Sequence, residues 1–135
     1  MSAPPPVMPD VEAAAVAVLT GALPGAWVGT EWPARLAERL PVVAPALGGG
    51  GSRLRGITAD RTLDIDILAG TKGAARTLAA AAAAALIAAR GATVGGLHFY
   101  DVDETSLIWL PYQPSAETDP IPRYVLVMSA VVRPA

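Results

Sequence analysis

The spacing of hydrophobic residues predicts a first helix near the start of the chain. Apolar side chains over 11–23 recur at intervals of three and four, which is the period of a helix face. This stripe consists of Val11, Ala15, Val18 and Ala22. Asp10 precedes the segment and is a suitable N-cap, because a carboxylate accepts hydrogen bonds from the first free N–H groups. Gly21 and the pair Pro24-Gly25 indicate where the helix ends.

Alternation with a period of two predicts a strand over 61–69. Leu63, Ile65 and Ile67 fall on one face, and the second face carries Thr62, Asp64 and Asp66. The last segment, 123–134, also reads as a strand, but its two faces are both apolar. We therefore expect the final strand to be central in a sheet or covered on both sides.

A second helix is predicted over 72–90, where seven consecutive alanines occupy 79–85. Alanine has the best helix propensity, Thr71 can cap the start and Gly91 is a natural stop. The helix is weakly polar all round, which favours a position covered on two sides.

The remaining segments predict shorter elements and connections. We expect a short strand over 26–31, a connection with one helical turn over 32–40, and an edge or irregular strand over 41–47, where Pro41 and Pro45 interrupt the pattern. Four consecutive glycines open the segment 48–56, which predicts a flexible, exposed loop. A strand over 95–106 continues or turns back through 107–112, and a proline-rich stiff loop covers 111–122.

These elements predict a single α+β domain over 10–135, preceded by a flexible proline-rich tail over 1–9. Its architecture is a mixed, mainly antiparallel sheet with two main helices flanking it. A length of 135 residues is enough to bury one core without disulfides, and the chain has no cysteine, which also excludes thiol metal sites.

Charge and hydropathy narrow the classes of partner. The formal net charge is -2, so the chain lacks the basic footprint of a DNA-binding domain. Charged residues are 16% of the chain, which is below the usual quarter and favours burial of surface against copies of the chain or a partner. The longest apolar run, 78–89, is shorter than the roughly 20 residues that span a bilayer, so we expect no membrane segment.

Asp64 and Asp66 are the first candidates for chemistry, because residues two apart on a strand face the same way. Paired carboxylates can hold a metal or transfer protons, but a metal site needs further ligands. His98 is the only histidine. The alternatives are a small α/β enzyme that uses Asp64, Asp66 and His98, or the polar face of a structural strand, and we favour the strand face.

Tryptophan and arginine residues are candidates for an interface, since both are enriched at interaction hot spots. Trp32 stands outside any clean core pattern, near Arg35, and fits a core or an interface equally well. Arg53 and Arg55 follow the glycine run, which lacks the lysine of a phosphate-binding loop. They remain candidates for contact with phosphate or with an acidic partner surface.

Four stretches together resemble the tail terminator family of long-tailed bacteriophages, especially those that infect actinobacteria. They are "PDVEAAAVAVLTGAL", "LPVVAPALGGG", "RTLDIDILAGTKGAARTLAAAAAAAL" and "PIPRYVLVMSAVVRP", and the resemblance covers about 10–134. It implies a lambda-type fold and a hexameric ring that caps the tail tube protein, stops tube growth and offers a surface to the head-completion or connector protein. Genomic DNA would pass through the ring without specific binding, and the resemblance implies no catalysis and no cofactor.

Within such a ring, Asp64 and Asp66 are expected to pair with arginines of a neighbouring subunit, such as Arg35 or Arg123. The glycine segment 48–56 is expected to reach the lumen or the tube. Three alternatives stay open: another neck, head-completion or tube-like component, a terminator-like protein of an injection system or gene-transfer particle, and the small enzyme named above.

Overall fold

The computed structural model describes residues 7–54 and 58–135 of the chain. Its helices are α1 (Val11–Ala22) and α2 (Lys72–Ala88), with one 3₁₀ turn at Leu36–Glu38. Its strands are β1 (Trp27–Val28), β2 (Val42–Leu54), β3 (Thr58–Leu68), β4 (Thr93–Val94), β5 (Leu97–Trp109) and β6 (Arg123–Pro134). In the described part of the chain these strands form one sheet of order β1-β2-β3-β6-β5-β4, in which only β1 and β2 pair in parallel. The predicted class, a single α+β domain with two main helices, is confirmed.

The first helix begins where the sequence predicts it. The Asp10 carboxylate accepts hydrogen bonds from the backbone N–H groups of Glu12 and Ala13, at 2.9 and 3.2 Å. The buried face differs slightly from the predicted stripe, because it turns toward Leu19 and leaves Ala22 exposed. Its buried members are Val11, Ala14, Ala15 and Leu19. Before this helix Val7 is exposed and Met8 packs against the core, whereas residues 1–6 of the predicted tail lie outside the described residues.

The centre of the sheet is the pair β3–β6, and this confirms the prediction for the last strand. Leu63 lies opposite Met128 and Ile65 lies opposite Leu126, and all four side chains are buried beneath the two helices. On the second face of β6 the valines 125, 127 and 131 are only half-buried. We call this second face of the sheet, which bears the side chains of Asp64, Val127 and Ile108, the open face.

The alanine helix α2 packs on the sheet with one face only. Thr71 caps it through a hydrogen bond from the N–H of Ala74 at 3.1 Å. The buried side consists of Ala75, Ala79, Ala82, Ala83 and Leu86. The other side, which includes Ala84 and Ile87, is exposed, so the prediction that the helix is covered on two sides is not met within a single copy of the described chain.

The glycine run corrects the sequence prediction most clearly. Residues 48–54 are not a loop but the second half of β2, where Gly50 pairs with Arg61 and Gly51 pairs with Asp60. Gly49 and Gly50 have φ values of 153° and 133°, which side chains other than glycine rarely allow. The glycines therefore let the strand bulge and continue. The rest of the predicted loop, at residues 55 and 56, lies outside the described residues.

The prolines of β2 agree with an edge position. β1 pairs only with Val42 and Val43, so Pro45 and the residues after it lie on the edge of the described sheet. The backbone N–H of Leu47 donates instead to the Glu12 carboxylate of α1, at 2.7 Å. This contact covers one of the free donors that an edge strand otherwise presents.

Candidate interaction site

A hydrogen bond between side chains of distant segments joins Trp32 to Asp66. The indole Nε1 of Trp32 donates to the Asp66 carboxylate at 3.0 Å. The strand β3 presents Asp66 on the open face by simple alternation, and the connection between β1 and β2 carries Trp32 across that face. Arg123, at the start of β6, lies 3.8 Å from the other carboxylate oxygen of Asp66. Its Nε also donates to the carbonyl oxygen of Leu110 at 2.8 Å.

Two aromatic rings surround Arg123. Its guanidinium lies 5.5 Å from the centre of the Trp32 ring and 5.8 Å from that of Tyr112. The two rings themselves meet edge to face, with centroids 4.8 Å apart and planes at 80°. These distances suit cation–π and aromatic contacts, so four side chains from four segments hold one another in place.

The environment of Asp66 disfavours its charge. Burial raises the pKa of Asp66 above its usual value, and the nearby charge of Asp64 adds to the effect. The cation of Arg123 and the hydrogen bond from Trp32 act in the opposite direction without cancelling it. The half-buried Asp66 carboxyl thus ties both Trp32 and Arg123 to β3.

A groove of about 510 Å³ opens beside this cluster, and we call it the Trp32 groove. Its walls are mainly apolar and come from the 3₁₀ turn and from the proline-rich segment after β5. Its lining comprises Trp32, Pro33, Arg35, Leu36, Ala37, Glu38, Tyr112, Pro114 and Ile121. Tyr112 and Ile121 form a β-bridge that positions the second wall.

The structure brings together several of the predicted interface residues. Trp32, Asp66 and Arg123 form the cluster, and Arg35 lies on the rim of the Trp32 groove, 3.9 Å from Glu38. Asp66 meets Arg123 of its own chain, so this pair does not need a neighbouring subunit. Asp64 is on the same face but is exposed and stands over Gly48, where a Cβ would come within 2.6 Å of its carboxylate.

The side chains of the two arginines in the glycine segment, Arg53 and Arg55, lie outside what the structure describes. Only the backbone of Arg53, in β2, is described, and Arg55 lies outside the described residues. The prediction that these side chains contact phosphate or an acidic partner therefore stays a prediction.

The groove contains residues that the sequence analysis missed. Tyr112, Pro114 and Ile121 were assigned to a stiff loop without a role, and Leu36 to a helical turn. Only the clustering of prolines around Tyr112 signalled an ordered wall. The pairing of Tyr112 with Ile121 depends on strand ends that no periodic pattern marks.

In the enzyme alternative, His98 lies far from the two carboxylates. His98 lies opposite Arg133 and Asp66 lies opposite Val125, toward the two ends of β6. At about 3.3 Å per residue this separation is about 26 Å. The ring of His98 instead contacts the Thr93 hydroxyl at 3.0 Å and the edge of Tyr100. Within residues 7–54 and 58–135, no group of three or more His, Cys, Asp or Glu side chains could hold a metal ion.

Comparisons with known proteins assign no family. No protein-family model matches the sequence, and no curated protein matches it. No helix in the described ranges is both long enough and apolar enough to cross a membrane. The proposed function therefore rests on the geometry of the described residues and on the sequence resemblance.

Proposed function

We propose that this protein is a structural virion component, a tail terminator that assembles as a ring on the end of a phage tail tube. The observation that carries the proposal is the open face. Helices cover only one side of the sheet in the described chain, while the valines at 125, 127 and 131 lie half-buried on the other. Apolar side chains in the middle of a sheet face indicate a partner surface.

A second surface supports the same proposal. The outer side of α2 consists largely of alanines, and a shallow groove of about 430 Å³ runs beside it, lined by Pro41, Ala69, Gly73, Ala74, Thr77, Leu78 and Ala81. Small side chains allow close approach of another subunit. The protein thus has apolar surface on both sides of its fold, as a subunit between two neighbours requires.

The fold also agrees with the resemblance described above. A mixed sheet flanked by two helices is the architecture that the resemblance implies, and the described chain has it. In this proposal six copies form the ring, the tail tube protein binds one side, and the head-completion or connector protein binds the other. Genomic DNA passes through the centre, and the protein resides in the tail or neck of the virion.

The proposal is tested by the native mass of the purified protein, measured by light scattering on a sizing column, with negative-stain images of the peak. Rings, or particles that cap the ends of polymerised tail tubes, are the expected result. A protein that stays monomeric and also fails to bind tubes would contradict the proposal. Binding to the connector but not to tube ends would favour the alternative of a different neck component.

A further inference from the structure

The Trp32 groove has the chemistry of a site for an extended proline segment. Aromatic-lined grooves bind such segments, because proline rings pack well on flat aromatic surfaces. Here Trp32 and Tyr112 meet edge to face at 80°, and both rings line the groove. The side chain of Arg35 is 78% exposed at the rim, where it can donate hydrogen bonds to the carbonyl groups of a bound segment.

The chain itself contains a segment that fits this groove. Pro4, Pro5 and Pro6 are consecutive, and we call them the proline segment. Proline rings fix φ and remove the N–H donor, so such a sequence loses little conformational entropy on binding and needs no partner for its nitrogens. The proline segment is uncharged, and the groove balances its own charges, since Arg35 lies 3.9 Å from Glu38.

The proline segment cannot reach the groove of its own copy. Pro9 stands beside Gly96, 3.9 Å from the position that a Cβ there would take, and the Gly96 carbonyl accepts from the N–H of Ala135. The groove lies beyond the opposite end of β6, whose twelve residues span about 36 Å. Pro4 can extend at most about 18 Å from Pro9, so only the groove of another copy is within reach.

We propose that the proline segment of one copy occupies the Trp32 groove of the next copy. The two surfaces differ, so the contact is head-to-tail, and repeating it generates a closed ring or an open filament. Closure into a ring rests on the proposed function, whereas binding of the segment in the groove does not.

The first experiment is a titration that does not depend on ring formation. The receptor is the full-length protein with Pro4, Pro5 and Pro6 replaced by alanine, and the probe is the synthetic peptide MSAPPPVMPD. We expect NMR shifts at the Trp32 indole and at the amides of 34–38 and 112–121. Ala37→Arg places a large cation at the groove and should weaken binding at least about tenfold. Ala22→Arg, at the exposed end of α1, is the matched control and should not weaken binding.

Three results of the titration would overturn the inference. The first is equal binding of a peptide with the three prolines replaced by alanine, and the second is equal binding by the Ala37→Arg and Ala22→Arg proteins. The third is binding of an unrelated proline-rich peptide but not of this one, which would assign the groove to a different partner.

The second experiment mixes copies that each retain one of the two surfaces. The Ala37→Arg protein keeps its proline segment, and the triple-alanine protein keeps its groove. We expect each alone to be smaller than wild type on a sizing column and the mixture to stop at dimers. If wild type forms rings and the Ala37→Arg protein forms the same rings, this inference is overturned and the proposed function stands. Peptide binding in the groove of a protein that forms open filaments but no rings would support the segment–groove contact and count against the ring, whereas a wild-type protein that stays monomeric at high concentration would overturn the contact between copies.

Discussion

The indole nitrogen of Trp32 donates a hydrogen bond of 3.0 Å to the carboxylate of Asp66, which lies 34 residues further along the chain. This contact fastens the connection between β1 and β2 to the open face. Trp32→Phe keeps an aromatic ring but removes the donor, and we expect it to lower the free energy of unfolding by about 1 to 2 kcal/mol. Urea unfolding followed by circular dichroism measures the change.

Trp109→Phe is the control for that experiment. Trp109 lies against Tyr124 with the ring planes tilted by 56°, and beneath the Lys72 ammonium, and within the described ranges its indole nitrogen has no hydrogen bond. The loss should be clearly smaller there. Equal losses for the two substitutions would mean that ring size, and not the bond to Asp66, accounts for the contribution of Trp32.

The raised pKa of Asp66 predicts a pH dependence of stability. The folded protein holds this proton to a higher pH than the unfolded chain, whose carboxyl titrates near 3.8. As pH rises from that value through the folded pKa, the unfolded state loses its proton first, so this group makes the fold less stable. Asp66→Asn removes the titration, and its stability relative to wild type should increase across that range.

The measurement is urea unfolding of wild type and Asp66→Asn at a series of pH values from 3 to 7. Asp119→Asn is the control, because this carboxyl is exposed in the segment between β5 and β6 and does not contribute to the pKa shift of Asp66. If the stability of Asp66→Asn relative to wild type falls with increasing pH, the raised pKa of Asp66 is contradicted. Arg123 would then lower this pKa by more than burial raises it.

The glycine half of β2 predicts very different effects at adjacent positions. A Cβ on Gly50 would overlap the carbonyl oxygen of Asp60, and the residue has a φ of 133°. Gly50→Ala should therefore destabilise the protein by about 1 to 3 kcal/mol. Gly51→Ala meets nothing within 4 Å and is the control. Thermal unfolding that shows no difference between the two variants would contradict the strand pairing and favour a loop.

If the open face is the surface between subunits, a charge placed on it should weaken assembly. Val127 lies opposite Asp64 on one side and Ser106 on the other. In Val127→Lys the new ammonium can pair with Asp64 across the strands, so the fold should persist. A hydrated charge in place of one of the half-buried valines should nevertheless reduce the native mass to that of smaller species.

Thr20→Lys adds the same charge at an exposed position of α1, on the other side of the sheet, and serves as the control. Light scattering at matched concentrations compares the two variants with wild type. If Val127→Lys assembles as wild type does, the open face is not the surface between subunits.

Local sequence patterns predicted most of the elements because each depends on residues close together in the chain. Asp10 and Thr71 cap their helices as expected, and alternation placed Asp64 and Asp66 on one strand face. The prediction of a loop over the glycine run is wrong, because composition describes the conformational freedom of glycine but not whether a neighbouring strand pairs with it. Gly49 and Gly50 use that freedom within a ladder.

For the candidate site, too, the sequence accounts for some features and only the tertiary structure for others. The sequence by itself determined that Asp66 lies on the polar face of a strand and that Trp32 stands outside any clean core pattern, because both follow from the spacing of nearby apolar residues. Only the tertiary structure decided that Trp32, Asp66 and Arg123 meet, and that Tyr112 completes the cluster. These contacts join segments far apart in the chain, and they follow from the order and register of the strands, which nonlocal packing selects.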